Sequence, residues 1–308
     1  MRLDAEKIRR FENEGFLSFE TGLSPRQVDE MRGILTRLHN ENIGFNEGAL
    51  FDAMGVDDGA EPKRFPQILH PRSFAPELLE SDFFHLARGI AEQLLGDQVR
   101  FKADISLMKP AHIGEATPWH QDEAFHDPNF DYREVSFWLA LQPTDTTNSC
   151  MAYIPGSQKG PVLPHGFPGG DNRIHALDCA SSLDVRDAVG CPLSPGGCVI
   201  HSQRTVHGAG PNVSDRDRLA YVLIFDLVPT PARVARNFPW RAQQQTARAQ
   251  RELRWRRRGG LVIHLWRQRT QLRLTNMRAL LFDARRALKA TLRICLAGRH
   301  ARGRFRSP

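Results

Sequence analysis

The first forty residues show apolar positions at helical spacing. Residues 5–14 (AEKIRRFENE) predict a short amphipathic helix, and FLSFE at 16–20 predicts an extended strand after it. Ser24 and Pro25 then mark a second helix start, because a capping oxygen precedes a proline at the first helical position. The apolar spacing continues this helix to about residue 40. The sequence therefore predicts a largely helical start to the chain.

A long loop and a further helix are predicted next. Residues 41–64 are polar and Gly-rich and show no periodicity, which is typical of a loop. A helix is predicted over about residues 76–95, and it ends at Gly96, a residue type common just after helices.

From residue 98 the pattern changes to short runs of β-branched and aromatic residues broken by Pro, Gly and Asn. The runs are VRFKADISLMKP, VSFWLALQP, CMAYIP, GCVIHS and LAYVLIFDLVP. A series of short strands separated by turns predicts a β-sandwich or barrel. Strands and helices do not alternate, which argues against a parallel α/β sheet. Residues 158–195 hold many Pro, Gly and Asp and predict a long insertion within the β domain.

Charge is unevenly spread along the chain. Residues 231–308 hold 21 Lys and Arg but only two acidic residues, Glu252 and Asp283, whereas the whole chain has a formal net charge of +7. Residues 1–230 are therefore acidic. An acidic body joined to a basic tail predicts two units, 1–230 and 231–308, and the pI of about 9.5 is no sign that the body binds nucleic acid.

The overall composition is that of an ordinary globular protein. Hydrophobic residues make up 41% of the chain and charged residues 25%. No long apolar run predicts a membrane span, and the N-terminus MRLDAEKIRRFENEG lacks the apolar stretch of a secretory signal. The five cysteines are irregularly spaced without a CxxC pair, which predicts reduced thiols and a cytoplasmic location.

The stretch WHQD at 119–122 holds the first candidate for chemistry. Side chains two apart on a strand point to the same face, so His120 and Asp122 are predicted to converge and to offer a nitrogen and an oxygen to one metal ion. The same spacing is also common on the charged face of a surface strand. The motif alone therefore leaves both interpretations open.

Three further residues favour the metal interpretation. His207 precedes a Gly-Pro-Asn turn, Arg218 opens the apolar strand RLAYVLIF, and Trp138 lies in SFWLAL. Two imidazoles and one carboxylate on a β scaffold are typical of non-haem Fe(II) oxygenases. A buried arginine needs a counter-charge and binds a carboxylate through two hydrogen bonds, so Arg218 predicts an anionic co-substrate. His201 is an alternative ligand, but the turn after His207 and its spacing to Arg218 favour His207.

Several motifs together resemble the phytanoyl-CoA dioxygenase family of Fe(II)- and 2-oxoglutarate-dependent oxygenases. They run in the family order and cover about residues 5–230. They are MKP at 108–110, WHQD at 119–122, FWLAL at 137–141, YIPGSQKG at 153–160 and HGAGPNVSxxxR at 207–218. The resemblance implies a mainly β fold with flanking helices and a double-stranded β-helix (jelly-roll, cupin-like) core. The basic residues 231–308 are predicted to form a helical C-terminal extension.

The resemblance also implies roles for individual residues. His120, Asp122 and His207 would bind Fe(II) as the catalytic centre at which O2 reacts, and Arg218 would hold the distal carboxylate of the co-substrate 2-oxoglutarate.

Two further positions match the co-substrate site of the family. Trp138 falls at a tryptophan that lines it, and Gln67, in FPQILHP, matches a polar contact more loosely. Many members have serine two residues after the second histidine, where this chain has Ala209. The missing hydroxyl costs about 1 kcal/mol of co-substrate binding.

The predicted function is hydroxylation of a small or medium organic substrate, with release of succinate and CO2. Related halogenases replace the metal-binding carboxylate by a small residue, so the presence of Asp122 favours hydroxylation. Two alternatives stay open: a non-catalytic metal-binding homologue that acts as a sensing or interaction module, and a cupin-like enzyme that uses another metal without an oxo acid. Arg218 argues against the second alternative.

Four further residues are candidates either for contact with substrate or for the surface: His112, His126, Arg173 and His175. In the tail, arginines are mixed with Leu, Trp, Ile and Phe at helical spacing. This pattern is typical of a helix on an anionic membrane surface, with Trp255 and Trp266 at the apolar boundary. A docked or partly disordered extension with no separate role, an acidic partner and, less favoured, nucleic acid are the alternatives.

Overall fold

Helices flank the N-terminal side of the chain, as the sequence predicts. The computed structural model describes residues 1–59 and 61–260. The α-helices in this part of the chain are α1 (Ala5–Glu14), α2 (Pro25–Asn40), α3 (Asp82–Leu95), α4 (Pro239–Gln243) and α5 (Ala247–Trp255). The first two have the predicted bounds. Ser24 and Gln27 exchange hydrogen bonds in a capping box at the start of α2, which explains why the signal at this position was clear.

The predicted helix over 76–95 is interrupted. Residues Pro76–Glu80 form a 3-10 turn, and α3 begins only after Ser81. The Ser81 hydroxyl accepts a hydrogen bond from the Phe84 amide, so this serine caps a new helix and does not continue the preceding turn.

The core consists of antiparallel strands. They are β1 (Phe16–Glu20), β2 (Leu50–Asp52), β3 (Pro66–Leu69), β4 (Arg100–Lys109), β5 (Thr117–His120), β6 (Phe130–Asp131), β7 (Glu134–Ala140), β8 (Met151–Tyr153), β9 (Val189–Cys191), β10 (Gly197–Ser202), β11 (His207–Ala209), β12 (Arg218–Asp226) and β13 (Thr230–Pro231). One sheet has the order β1-β10-β7-β12-β4-β3-β2, and a second has the order β5-β11-β8-β9. Strands β6 and β13 form a separate pair.

Alternating side chains divide the core into two layers. On β7, Phe137 packs with residues of the helices, whereas Trp138 belongs to a cluster that joins the two sheets. On β12, Tyr221 faces the helices and Val222 faces the second sheet. Arg218 has the same parity as Val222, so it lies on the inner face, between the sheets. Two facing antiparallel sheets covered by helices confirm the predicted mainly β fold.

The prediction of a continuous loop over residues 41–64 is wrong. Strand β2 lies within this range, and all three of its residues are buried. The Asp52 carboxylate accepts hydrogen bonds from the backbone amides of Met54, Arg64 and Phe65, which holds the following turn in place. Three residues are too few to show a periodicity of two, so the pattern gave no signal.

The chain continues along the body after β12. The contacts between residues define a compact unit that runs from Met1 to Gly259. The boundary predicted at residue 230 lies inside this unit. We call residues 232–258 the C-terminal segment; it contains α4, α5 and the beginning of a π-helical turn, Arg256–Gly260. Phe238 and Trp240 of this segment pack in a buried cluster with Ala124 and Leu177. No helix in the described part of the chain is long and apolar enough to cross a membrane.

Candidate active site

Three predicted metal ligands converge between the two sheets. His120 closes β5 and lies directly opposite His207, which opens β11, so their rings are 4.3 Å apart between centroids. The Nε2 atoms of His120 and His207 lie 3.7 and 3.6 Å from Oδ1 of Asp122. Asp122 does not continue the strand as predicted. It opens a 3-10 turn, Asp122–Phe125, and this turn directs its carboxylate back toward the two imidazoles.

Backbone carbonyls orient the two imidazoles. Nδ1 of His120 lies 2.8 Å from the Pro118 carbonyl, and Nδ1 of His207 lies 2.9 Å from the Thr205 carbonyl. Each Nδ1 therefore donates its proton, which leaves the Nε2 lone pairs directed to the space next to Asp122. Burial lowers the pKa of both histidines and keeps the rings neutral, the form that binds a metal.

The carboxylate of Asp122 is fixed through its other oxygen. His201 Nε2 and Ser136 Oγ each donate to Oδ2 at 3.2 Å, so Oδ1 is left to face the imidazoles. Burial raises the pKa of Asp122, but the neighbouring His207 and His201 more than offset this effect and hold the pKa below its usual value. The carboxyl group is therefore ionised.

His201 supports this arrangement from a different sheet. It lies on β10 of the large sheet, whereas His207 opens β11 of the second sheet. Tyr153 Oη lies 3.2 Å from its Nδ1, which leaves Nε2–H to donate to Asp122. Among the described residues, the set whose ligand atoms lie within 4.8 Å of one another is His120, Asp122 and His207. Two neutral nitrogens and one carboxylate oxygen form a donor set that fits Fe(II).

Arg218 is a buried cation at the inner face of the large sheet. It is 1% exposed and forms no ion pair with any residue in the described ranges. Its Nη2 donates to Ser149 Oγ at 3.3 Å, but Nε and Nη1 have no hydrogen-bond partner in the part of the chain that the structure describes. Asp226, at the far end of the same strand, pairs with Arg100 at 2.9 Å. Burial lowers the pKa of Arg218 to about 9, so the group is still charged at neutral pH. Unpaired buried donors of this kind fit a carboxylate ligand.

A lysine and a serine that the sequence reasoning did not single out lie beside Arg218. Lys109 is directly opposite Arg218 in the β4–β12 register and is fully buried. Its Nζ donates to Ser149 Oγ at 2.7 Å and to the Gly210 carbonyl at 2.8 Å. Burial, together with the charge of Arg218, lowers the pKa of Lys109 well below its usual range. The MKP motif drew attention to the position of Lys109, whereas Ser149 lies in a turn with no motif of its own.

One cavity of about 480 Å³ collects the predicted site residues. Those that line it are Gln67, His120, Asp122, Trp138, His207 and Arg218. His126 and His175 also line the cavity, whereas His112 and Arg173 do not. The Trp138 ring lies 5.3 Å from the Arg218 guanidinium carbon, and its Nε1 has no hydrogen-bond partner within residues 1–59 and 61–260. The cavity also has a wall that the sequence did not predict, formed by Trp240, Arg241 and Gln244.

The chain is similar to known proteins that are named dioxygenases. A family model described as phytanoyl-CoA dioxygenase (PhyH) matches residues 11–220. A probable phytanoyl-CoA dioxygenase of Caenorhabditis elegans is 30% identical over 238 residues, which cover 71% of this chain and 73% of that protein. A probable alpha-ketoglutarate-dependent hypophosphite dioxygenase of Stutzerimonas stutzeri is 26% identical over 68% of this chain and 74% of its own length.

A solved structure supports the fold. EvdO2 from Micromonospora carbonacea var. aurantiaca, crystallised with 2-oxoglutarate, is 34% identical and superposes with a TM-score of 0.67. The likeness covers 78% of this chain and 97% of EvdO2. The predicted jelly-roll core is thereby confirmed.

Proposed function

Because the chain belongs to the phytanoyl-CoA dioxygenase family, and is thus an Fe(II)- and 2-oxoglutarate-dependent dioxygenase, we propose that His120, Asp122 and His207 bind the iron and that Arg218 binds 2-oxoglutarate. The family, the class of enzyme and its cofactors were predicted from the motifs and are confirmed. One observation carries the residue assignment: three ligand atoms converge in the cavity that also contains a buried guanidinium with two unpaired donors.

The proposed iron ligands are held in place before any metal binds. The hydrogen bonds at Nδ1 of both histidines and at Oδ2 of Asp122 fix each side chain in the orientation that a metal needs. Preorganised ligands of this kind lose little conformational freedom on binding, which favours affinity.

The proposed co-substrate site uses the inner face of the large sheet. Arg218 offers two donor nitrogens, Nε and Nη1, to the distal carboxylate, and the Trp138 ring packs against the guanidinium. Gln67 supplies a polar side chain on the same wall. Ala209 has no hydroxyl to contribute, and the buried Ser149 hydroxyl near Arg218 is the polar group that the structure has in this region instead.

The reaction that we propose is hydroxylation. When bound, Fe(II) and 2-oxoglutarate activate O2 for oxidation of a substrate C–H bond, with release of succinate and CO2. The protein places the substrate next to Asp122 and excludes water with apolar side chains that include Phe125 and Leu177. A cavity of about 480 Å³ that also holds 2-oxoglutarate leaves room for a small or medium organic molecule.

A cytoplasmic location, and contact of residues 231–308 with an anionic membrane surface, stay predictions. The C-terminal segment packs against the body through Phe238 and Trp240, which leaves these two aromatic side chains buried within the protein. Trp266 and the rest of the predicted interfacial helix after residue 260 lie outside the described residues.

The residue assignment can be tested by iron content. Protein purified without oxygen is mixed with Fe(II), desalted and assayed for bound iron and for succinate formed from 2-oxoglutarate. We expect the parent to bind one iron per chain and His207→Ala to lose both iron and succinate formation. His112→Asn is the control, because His112 is exposed, does not line the cavity and has a φ of +64° that asparagine tolerates.

One result would contradict the residue assignment, and another would contradict the proposed catalytic role. Full iron binding in His207→Ala would show that the ligands lie elsewhere. Normal iron content in the parent without succinate formation, with 2-oxoglutarate and a substrate panel present, would favour the non-catalytic metal-binding homologue over the enzyme.

A further inference from the structure

Part of the cavity wall comes from outside the region that defines the family. The matched region ends at residue 220, yet Trp240, Arg241 and Gln244 line the cavity that contains His120 and Asp122. These three residues belong to the C-terminal segment. The segment therefore contributes to the wall of the cavity in which a substrate would lie.

One end of this segment is tied to the turn that carries Asp122. Glu123, the next residue, has a fully buried side chain that forms ion pairs with Arg204 and with Arg236 of the segment. Trp240 Nε1 donates to the Ala124 carbonyl at 2.9 Å. Residues from position 236 to 240 are thus fixed next to the proposed iron site.

The other end is tied to residues 172–175, which lie in the long insertion. Gln244 Nε2 donates to the His175 carbonyl at 2.8 Å, and Asn172 Nδ2 donates to the Gln243 carbonyl at 2.7 Å. Further along, Arg251 forms a buried ion pair with Asp57. Because both ends are held, the backbone that carries Trp240, Arg241 and Gln244 is a fixed part of the cavity wall.

Among the described residues, the charges that line the cavity leave Arg241 without an ion-pair partner. Lys102 forms an ion pair with Glu134, so these two charges cancel. Asp122 and Arg218 belong to the proposed iron and 2-oxoglutarate sites. Arg241 is exposed at the cavity and forms no ion pair with any residue that the structure describes.

We propose that Arg241 recognises an anionic group, a carboxylate or a phosphate or sulfate ester, on the organic substrate. The apolar part of that substrate packs against Phe125, Leu177 and Trp240, between Arg241 and the proposed iron ligands. The guanidinium suits such an oxyanion because its N–H groups match the spacing of two oxygens. This substrate class rests on the proposed function, since it concerns the same cavity.

Binding of matched probe compounds tests the proposal. The probes are 4-phenylbutyrate, 2-phenylethyl phosphate and the neutral 4-phenylbutyramide. Dissociation constants are measured by calorimetry on the full-length protein, without oxygen and with Fe(II), both with and without saturating 2-oxoglutarate. We expect at least one anionic probe to bind about 10-fold more tightly than the amide, as is reasonable for a charge-assisted contact at a partly exposed site. The carboxylate and phosphate arms show which oxyanion is preferred.

Two variants locate the effect. Arg241→Gln should remove the advantage of the anionic probe and leave the affinity for 2-oxoglutarate unchanged. Arg254→Gln should change neither, because Arg254 is an exposed arginine of the same segment that has no ion pair with the described residues and does not line the cavity.

The outcomes separate the two proposals. No preference for either anion over the amide in the parent, or a preference that survives in Arg241→Gln, would overturn the role of Arg241. Failure of the parent to bind 2-oxoglutarate would instead overturn the proposed co-substrate site. The effect of Arg241→Gln on probe affinity would still be measured in the titrations without 2-oxoglutarate.

Discussion

Shortening the chain at two positions tests whether the C-terminal segment is part of the folded body. A chain that ends at residue 259 retains the whole compact unit, whereas a chain that ends at residue 230 loses the segment. The charge pattern of the sequence predicts a boundary at 230, whereas the contacts in the structure place it after 259. Comparing the stability of the two shortened chains therefore decides between these two boundaries.

The structure sets the expected magnitude. Phe238 and Trp240 are 7% and 4% exposed, and they stack on each other with ring centroids 5.0 Å apart. Loss of a buried Phe or Trp side chain costs about 3–5 kcal/mol, so loss of both costs about 6–10 kcal/mol. Removing Arg251 also leaves the carboxylate of Asp57 without its ion pair. Native domains are stable by only about 5–15 kcal/mol, so the shorter chain should be largely unfolded.

Urea unfolding followed by circular dichroism measures this difference. We expect the chain ending at 259 to unfold cooperatively with a midpoint close to that of the full-length protein. The chain ending at 230 should be insoluble or lack a cooperative transition. A cooperative transition at an unchanged midpoint in the shorter chain would refute the reasoning, because the segment would then contribute nothing to stability.

Two smaller changes test other buried groups. Burial lowers the pKa of His39 to about 3, so the folded protein keeps this ring neutral while the unfolded chain binds a proton near its usual pKa of 6.5. As the pH falls below 6.5, His39 should therefore destabilise the fold by about 1.4 kcal/mol per pH unit. The free energy of unfolding should fall more steeply toward pH 4.5 in the parent than in His39→Gln, and equal slopes would contradict this. Ser149 has a φ of +77°, so Ser149→Ala should be less stable than Ser149→Gly by about 1 kcal/mol, since both lose the hydroxyl but only glycine relieves the strain. Equal urea midpoints would show that the backbone is not strained there.

The strands were predictable because each is a local run of apolar residues. The proposed ligands were predictable because they lie in motifs that follow one another in the family order. Strand β7 appears as VSFWLAL and β12 as RLAYVLIF, and each of these runs is apolar on both faces because the strand lies between the helices and the second sheet. The absence of an acidic neighbour for Arg218 was also visible in its own strand, and no other described strand supplies one.

The cavity wall was not predictable in the same way. The residues that hold the C-terminal segment are far from it in sequence, with Glu123 113 residues before Arg236 and Asp57 194 residues before Arg251. A local pattern contains no information about such pairs. Arginines spaced along a helix are equally consistent with a membrane surface and with buried acidic partners elsewhere in the chain.

Details of the site depend on tertiary contacts as well. The sequence predicted that His120 and Asp122 converge because they alternate on one strand. They do converge, but the reason is that the chain turns after the strand ends at His120. The contact of His201 with Asp122 joins strand β10 to the turn after β5 and has no sequence signature.

The central claim is that Arg218 holds 2-oxoglutarate next to iron bound by His120, Asp122 and His207. Titration of 2-oxoglutarate into the oxygen-free Fe(II) protein, followed through the metal-to-ligand charge-transfer band, measures this most directly. Arg218→Lys keeps the charge but loses the planar fork, and it should weaken binding. Arg218→Ala should weaken it by about 30-fold or more, the equivalent of at least about 2 kcal/mol, while iron content stays unchanged. Binding of 2-oxoglutarate to Arg218→Ala as tight as to the parent would contradict the account.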